Sequence, residues 1–186
     1  MNLKQAMLPA CYTGGGEGES GEREVADKYT KDVCKTVLEF GGGAGSVSTI
    51  VQKHLPDPTQ HVVIQPNEGG FYGGLPQLRK NKAACGLKFQ EVDHVLEKGE
   101  EDAILAMVHQ PFDCMVVDCE DCLFHEYEKN PKLFEHVKRI QVERDDFDGR
   151  SYDKLFDILN MKLVHVGKGC EGTCNTEVWD AAPRRK

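Results

Sequence analysis

The chain has 186 residues, of which 39% are hydrophobic and 29% are charged, and its net charge is −8 at pH 7. This length suits one domain with a sizeable core, and the composition excludes wholesale disorder. The negative charge disfavours nucleic acid as the main partner, and no apolar run is long enough to cross a membrane. The first ten residues lack the apolar core of a signal peptide, so we expect a cytoplasmic protein.

Short apolar strands alternate with helical segments along most of the chain. The hydrophobic periodicity predicts helices at 22–34, 46–54, 75–82, 100–109, 122–137 (broken near Pro131) and 151–160. It predicts strands at 37–40, 61–65, 87–92, 112–117, 139–143, 162–166 and 176–179. This alternation predicts an α/β fold in which helices cover both faces of a mostly parallel, twisted sheet. In such sheets, ligands bind at the carboxyl ends of the strands.

Composition divides the chain into three segments. Residues 1–22 are rich in glycine and polar residues, which predicts a flexible N-terminal arm or lid. Residues 23–182 carry the alternating pattern and form the predicted domain. Residues 183–186 form a basic C-terminal tail.

The eight cysteines raise the question of a zinc site. Two pairs have relevant spacings, Cys119-x-x-Cys122 and Cys170-x-x-x-Cys174. The second spacing is loose, however, and Cys119 lies at a predicted strand end. Because a domain of this size needs no disulfide scaffold, we expect free thiols and no bound metal.

The first strand leads into a glycine-rich turn, which is the most informative part of the sequence. The segment has the pattern Glu39-x-Gly41-x-Gly43-x-Gly45, and a helix follows at once. A strand, a turn and a helix N-terminus direct several backbone N–H groups to one spot, which suits a nucleotide-like ligand. A dinucleotide fingerprint would need glycine where this chain has Ser46, which argues against a nicotinamide-dependent oxidoreductase.

Polar residues also follow the second, fourth and fifth predicted strands. The second strand ends at Gln65, and Asn67 comes two residues later. Three carboxylates follow the fourth strand within four residues, so a cation, a basic neighbour or a raised pKa is expected there. The acidic residues at these two later strand ends are Asp118, Glu120, Asp121 and Glu143.

The glycine turn resembles motif I of the class I S-adenosylmethionine (SAM)-dependent methyltransferases. In that family the acidic residue holds the methionine end of SAM, and the glycines leave room for the cofactor. The order of the segments is similar to that of the FkbM-type methyltransferases. The segments that carry this similarity are Gly21 to Ala26, the glycine turn, Gln65-Pro66-Asn67, Phe112 to Glu120 and Val142-Glu143.

The resemblance implies a Rossmann-like class I methyltransferase fold, with SAM as the cofactor. It also implies methyl transfer to a hydroxyl of a sugar or another small metabolite. Asp118, Glu120 and Glu143 would face the methyl group and the acceptor, with Asp118 as general base and His125 or His165 assisting. The residues that would bind SAM are Glu39, Gly41, Gly43, Gly45, Gln65 and Asn67.

Two residues depart from the family pattern. Gln65 stands where an acidic residue usually accepts both ribose hydroxyls, and Asp121 stands where glycine usually follows the acidic pair. These departures leave an alternative open, a catalytically inactive domain that binds a nucleoside or a protein partner.

Overall fold

The computed structural model describes residues 8–15, 18–67, 74–144, 151–169 and 172–183. Seven strands form one sheet in the spatial order 3-2-1-4-5-7-6. The first five strands are parallel to one another, and the seventh is antiparallel to both the fifth and the sixth. The strands are β1 (Val37–Phe40), β2 (His61–Ile64), β3 (Gln90–Val92), β4 (Cys114–Val117), β5 (Arg139–Glu143), β6 (Met161–Gly169) and β7 (Cys174–Ala181).

Helices connect the strands, and a 3-10 helix at Pro131–Phe134 follows the fifth helix, which confirms the predicted break near Pro131. Among the described helices, none has the length and apolar character needed to span a membrane. The helices are α1 (Ser20–Thr30), α2 (Ser46–His54), α3 (Gly74–Cys85), α4 (Glu101–Leu105), α5 (Cys122–Lys129) and α6 (Ser151–Ile158).

The predicted bounds of β1, α2 and β5 are confirmed, whereas β6 and β7 are longer than predicted. These two strands form an antiparallel hairpin, and they pair with each other along their whole length, from Met161 opposite Ala181 to Gly169 opposite Cys174. Three large hydrophobic residues of β6 are exposed, so buried and exposed side chains do not alternate regularly along this strand. They are Leu163, Val164 and Val166. Because alternation of burial is the signal for a strand, its absence here hid the length of the hairpin.

Hydrophobic residues on both faces of the sheet form the core. On one face, Leu38 and Met115 pack in a cluster that includes Ile104 of α4, Leu123 of α5 and Phe156 of α6. The residues of the other face form two clusters with α1, α2 and α3. Burying one large apolar side chain stabilises the fold by roughly 1.5–3 kcal/mol. This packing holds the carboxyl ends of β1, β2, β4 and β5 side by side.

The cysteines among the described residues are disulfide-bonded, so the prediction of free thiols was wrong for them. Disulfide bonds join Cys11 to Cys85, Cys34 to Cys114, and Cys119 to Cys122. The first two bonds span 74 and 80 residues of sequence. Partners that far apart are set by the tertiary fold, and local sequence patterns do not reveal them.

Arg139 joins the parallel strands to the antiparallel hairpin. Its guanidinium makes two hydrogen bonds to the carboxylate of Asp180 on β7, each 2.6 Å long, and a third to the carbonyl oxygen of Tyr29 at 2.8 Å. We expect Arg139→Lys to lower the free energy of unfolding by about 1–2 kcal/mol, because lysine cannot form this fork. Urea denaturation measures the change.

Arg79 provides a matched control, since it pairs with Glu91 but its side chain is 49% exposed. Arg79→Lys should lower the free energy of unfolding by less than about 0.5 kcal/mol. Equal losses in the two variants would contradict the role given to Arg139.

Candidate active site

The turn after β1 brings the backbone close to β2 and β4. Gly41 has φ +83°, and its N–H donates to the carbonyl oxygen of Ile64 at 3.0 Å. A Cβ at Gly41 would lie 1.5 Å from the carbonyl oxygen of Asp118, so only glycine fits there. Gly43 has φ +51°, but a Cβ there would meet only Glu19 Oε1, at 3.7 Å. Close contact with the backbone of Asp118 therefore explains why residue 41 is glycine. No described residue makes such a contact at Gly43, where a side chain or a ligand would have room.

Gln65 fixes the middle of this turn. Gly43 N–H donates to Gln65 Oε1 at 2.6 Å, and Gln65 Nε2 donates to the carbonyl oxygen of Pro66 at 3.2 Å. Asn67 lies at the same edge of the sheet, with an exposed side chain and an N–H bond to the carbonyl oxygen of Asp93 at 3.1 Å. The end of β2 thus lies directly beside the glycine turn.

Glu39 lies beneath the turn and is 1% exposed. Its Oε1 accepts a hydrogen bond from Ser48 Oγ of α2 at 2.8 Å, and its Oε2 lies 2.9 Å from His61 Nε2 of β2. Neither Ser48 nor His61 is among the site residues that the sequence predicted. The register shows why His61 is near: it lies opposite Val37, which shares a face of β1 with Glu39.

Asp118 and Glu143 come together at the ends of β4 and β5, and both line the same cavity as Glu39. Glu120 and Asp121 instead line a second cavity. These two residues have φ +53° and +67°, so the chain turns sharply through two successive left-handed residues. This turn separates Glu120 from the cavity that contains Asp118.

The first cavity is small, with a volume of about 20 Å³. That volume holds about one water molecule. Glu22 and Val25 of α1 and Thr176 of β7 close its sides, so a larger ligand has to displace part of this wall. The lining is acidic, which favours a positively charged ligand. Its carboxylates belong to Glu22, Glu39, Asp118 and Glu143.

The segment before α1 lies against the glycine turn. Thr13 N–H donates to Asn81 Oδ1 at 3.0 Å, and Asn81 Nδ2 donates to a carbonyl oxygen of the turn at 2.9 Å. Ser46 Oγ, at the start of α2, donates to the carboxylate of Glu19. Burial raises the pKa of Glu19, and the Ser46 hydrogen bond and the Arg23 charge oppose this effect. The glycine-rich sequence gave no sign of these contacts, and the role of the segment as an arm or lid stays a prediction.

One of the two cysteine spacings that suggested zinc is explained differently, and Cys170 of the other spacing lies outside the described residues. Cys119 and Cys122 are bonded to each other. Among the described residues, ligand atoms of Glu22, Glu143 and Cys174 lie within 4.8 Å of one another. Cys174 is disulfide-bonded, so its sulfur is not a thiolate ligand. These cysteines therefore do not form a thiolate zinc centre in this state.

The second cavity, of about 500 Å³, lies between the loop after β3 and the start of α5. This volume is in the range of small-molecule sites. His125 lines it, together with Glu120 and Asp121. His165 lies elsewhere, on β6, where its ring packs against that of Tyr29 with 5.0 Å between the centroids.

Glu126 of α5 also lines the second cavity and is 4% exposed. Burial raises its pKa, and the nearby Lys129 ammonium opposes this effect. The carboxyl group of Glu126 therefore binds its proton more tightly in the folded protein than in the unfolded chain. As the pH rises from the pKa of the unfolded chain to the higher pKa of the folded protein, Glu126 lowers the free energy of unfolding. We expect Glu126→Gln to raise the melting temperature by a few degrees at neutral pH and to have little effect near pH 3.

Melting curves across this pH range check the prediction. Glu128→Gln is the control, because Glu128 lies on the same helix with a side chain that is 58% exposed. A Glu126→Gln variant that melts at the parent temperature at neutral pH would contradict the prediction.

Neither a protein-family model nor a curated protein matches the sequence. Solved structures are similar in fold. A putative O-methyltransferase from Klebsiella pneumoniae has a TM-score of 0.63 at 13% identity, over 96% of this chain and 86% of that one. An O-methyltransferase from Bacillus cereus, solved with S-adenosylhomocysteine (SAH), has a TM-score of 0.62 at 13% identity, over 95% and 86% of the two chains.

A putative tRNA (m1A22) methyltransferase from Streptococcus pneumoniae, solved with SAM, has a TM-score of 0.61 at 14% identity. The similar region includes 88% of this chain and 73% of the Streptococcus pneumoniae protein. At identities of 13–14%, the similarity to these structures shows the fold alone. They confirm the Rossmann-like class I methyltransferase fold that the sequence predicted.

Proposed function

We propose that this protein is a SAM-dependent methyltransferase that binds SAM over the glycine turn. The observation that carries the proposal is the space beside Gly43, where a Cβ would meet no protein atom closer than 3.7 Å. The left-handed φ of +51° favours glycine at this position, and the open space beside it leaves a ligand room to pass close to the backbone of the turn. The likeness in fold to proteins solved with SAM and SAH supports this choice of ligand.

The residues around the turn fit the cofactor. Glu39 Oε2 is buried, and no described residue gives it a well-aligned hydrogen bond, so it can accept one from the SAM ammonium. Gln65, which bonds to Gly43 N–H, would meet the ribose, and Asn67 would bind further along the same edge. Gly41 and Gly45 complete the proposed cofactor set. The acidic lining suits the positive charge of the SAM sulfonium, which activates the methyl group, and SAM would enter by displacing part of the cavity wall.

The acceptor that we propose is a hydroxyl group of a sugar or another small metabolite. A hydroxyl is a weak nucleophile until its proton is removed, and Asp118, which lines the cavity, would remove it. Glu143 shares this cavity and would orient the acceptor. Glu120 would contact the acceptor from the second cavity. The order of the motifs favours the FkbM-type family for this activity.

Incubation with methyl-labelled SAM and a library of sugars and small metabolites tests the proposed acceptor. Label in a hydroxyl-bearing acceptor is the expected result. Unmodified tRNA is included because one structural neighbour is a putative tRNA methyltransferase, although the net charge of −8 disfavours RNA. Label in tRNA alone would overturn the small-molecule proposal, and binding of SAM without any transfer would favour the inactive alternative.

The cytoplasmic location stays a prediction, and the disulfide bonds argue against it. Disulfide bonds such as Cys11–Cys85 and Cys34–Cys114 are typical of proteins from oxidising compartments. Binding assays therefore require the oxidised protein. Peptide mapping without a reducing agent shows whether these pairs are present in the material used.

A further inference from the structure

His61 is a fully buried histidine whose tautomer is fixed by its neighbours. Gln52 of α2 accepts a hydrogen bond from Lys88 N–H at its Oε1 (2.8 Å), so its Nε2 faces the other way. That nitrogen donates to the carbonyl oxygen of Pro58 at 2.8 Å and lies 3.1 Å from His61 Nδ1. Because Gln52 Nε2 is a donor only, His61 Nδ1 is an acceptor and carries no proton.

A neutral imidazole that lacks a proton on Nδ1 carries it on Nε2. His61 Nε2 lies 2.9 Å from Glu39 Oε2, and both atoms are otherwise without an aligned hydrogen-bond partner. The contact is thus attractive but oblique. It supports the negative charge of Glu39 and leaves Oε2 able to accept a further, well-directed hydrogen bond.

Glu39 depends on this support because it is buried. A buried carboxylate needs hydrogen-bond donors in place of water, and the other donor here is Ser48 Oγ, which bonds to Oε1. The donors come from different elements, Ser48 from α2 and His61 from β2. Together they hold the carboxylate between the helix and the sheet, at the wall of the first cavity.

We propose that His61, oriented by Gln52, is a positioning residue that directs the Glu39 carboxylate at the ammonium group of the cofactor's amino-acid part. This inference rests on the proposed SAM site and adds a residue outside its glycine turn. It predicts a selective effect. Loss of His61 weakens ligands that carry the ammonium group and spares analogues that lack it.

The test compares two ligands by titration calorimetry. SAH carries the amino-acid part, and 5′-methylthioadenosine lacks it. His61→Phe keeps a ring, which the edge-on contact with Phe89 requires, and removes both nitrogens. We expect its affinity for SAH to fall by about 10- to 100-fold, the equivalent of one charged hydrogen bond, with a change of less than about twofold for 5′-methylthioadenosine.

Two further variants separate positioning from damage to the fold. His61→Gln restores an N–H donor near Glu39 and should recover most of the SAH affinity. His54→Phe is the matched control, because His54 pairs with Asp27 at 2.8 Å at the end of α2 and lies away from the cavity. If His61→Phe does not fold, Ser48→Ala removes the other donor to Glu39 and should show the same selectivity.

Equal losses for both ligands, no loss for either, or no recovery in His61→Gln would each overturn the role of His61. A parent protein that binds 5′-methylthioadenosine but not SAH would overturn it as well. A parent that binds neither SAM, SAH nor 5′-methylthioadenosine overturns the proposed function itself, and the inference with it.

Discussion

Gly43→Val is expected to weaken SAM binding by about 1,000-fold or more, while the protein still folds. The side chain would enter the space beside the turn, where the cofactor is proposed to lie and where the nearest protein atom is Glu19 Oε1 at 3.7 Å. Because Gly43 has φ +51°, the substitution also strains the backbone and costs roughly 1–3 kcal/mol of stability. Titration calorimetry and melting curves measure the two effects.

Gly86→Val controls for the strain. Gly86 follows α3, has φ +64°, and a Cβ there would meet no atom within 4 Å. This variant should lose similar stability and bind SAM like the parent. If Gly43→Val folds and keeps the parent affinity, the cofactor does not pass over the turn.

Asp118→Asn is expected to lower turnover by about 100- to 10,000-fold with little change in SAM affinity or melting temperature. The amide keeps the shape of the side chain but cannot accept the proton of the acceptor hydroxyl. Asp118 lies at the end of β4 and lines the cavity with Glu39 and Glu143. The measurement is kcat with a saturating acceptor found in the labelled-SAM screen.

Asp102→Asn makes the same chemical change away from the site, at a side chain of α4 that is 77% exposed and pairs with Lys132. It should keep the parent turnover. Parent-like turnover in Asp118→Asn would remove Asp118 from the mechanism and make Glu143 the stronger candidate for the base.

The sequence predicted the order of strands and helices along the chain and the glycine turn after β1 because those features depend on local patterns. Apolar runs such as Val37–Phe40 end at glycine or proline signals, which mark their bounds clearly. The glycine turn could be recognised because Gly41 satisfies a rigid backbone requirement, a Cβ there lying 1.5 Å from a carbonyl oxygen. A backbone requirement of this kind fixes the residue type, so it can be recognised from one sequence.

Features that depend on contacts between distant segments could not be predicted. The disulfide from Cys34 to Cys114 joins the segment before β1 to β4, and the contact of His61 with Glu39 follows from the register of β1 and β2. One sequence supplies neither of these relations. The separation of Glu120 from Asp118 follows from left-handed backbone at a non-glycine residue, which residue type does not predict. The position of Glu19 over the turn required the packing of α1 and α2.

Titration of the oxidised protein with SAH tests the central claim, a SAM site at the end of β1, most directly. The account predicts saturable binding with one site per chain, accompanied by a rise in melting temperature because SAH binds only the folded state. The Gly43→Val variant should show neither effect, and Gly86→Val should show both. Absence of heat and of any thermal shift in the parent protein, with SAH and SAM at millimolar concentration, would contradict the claim.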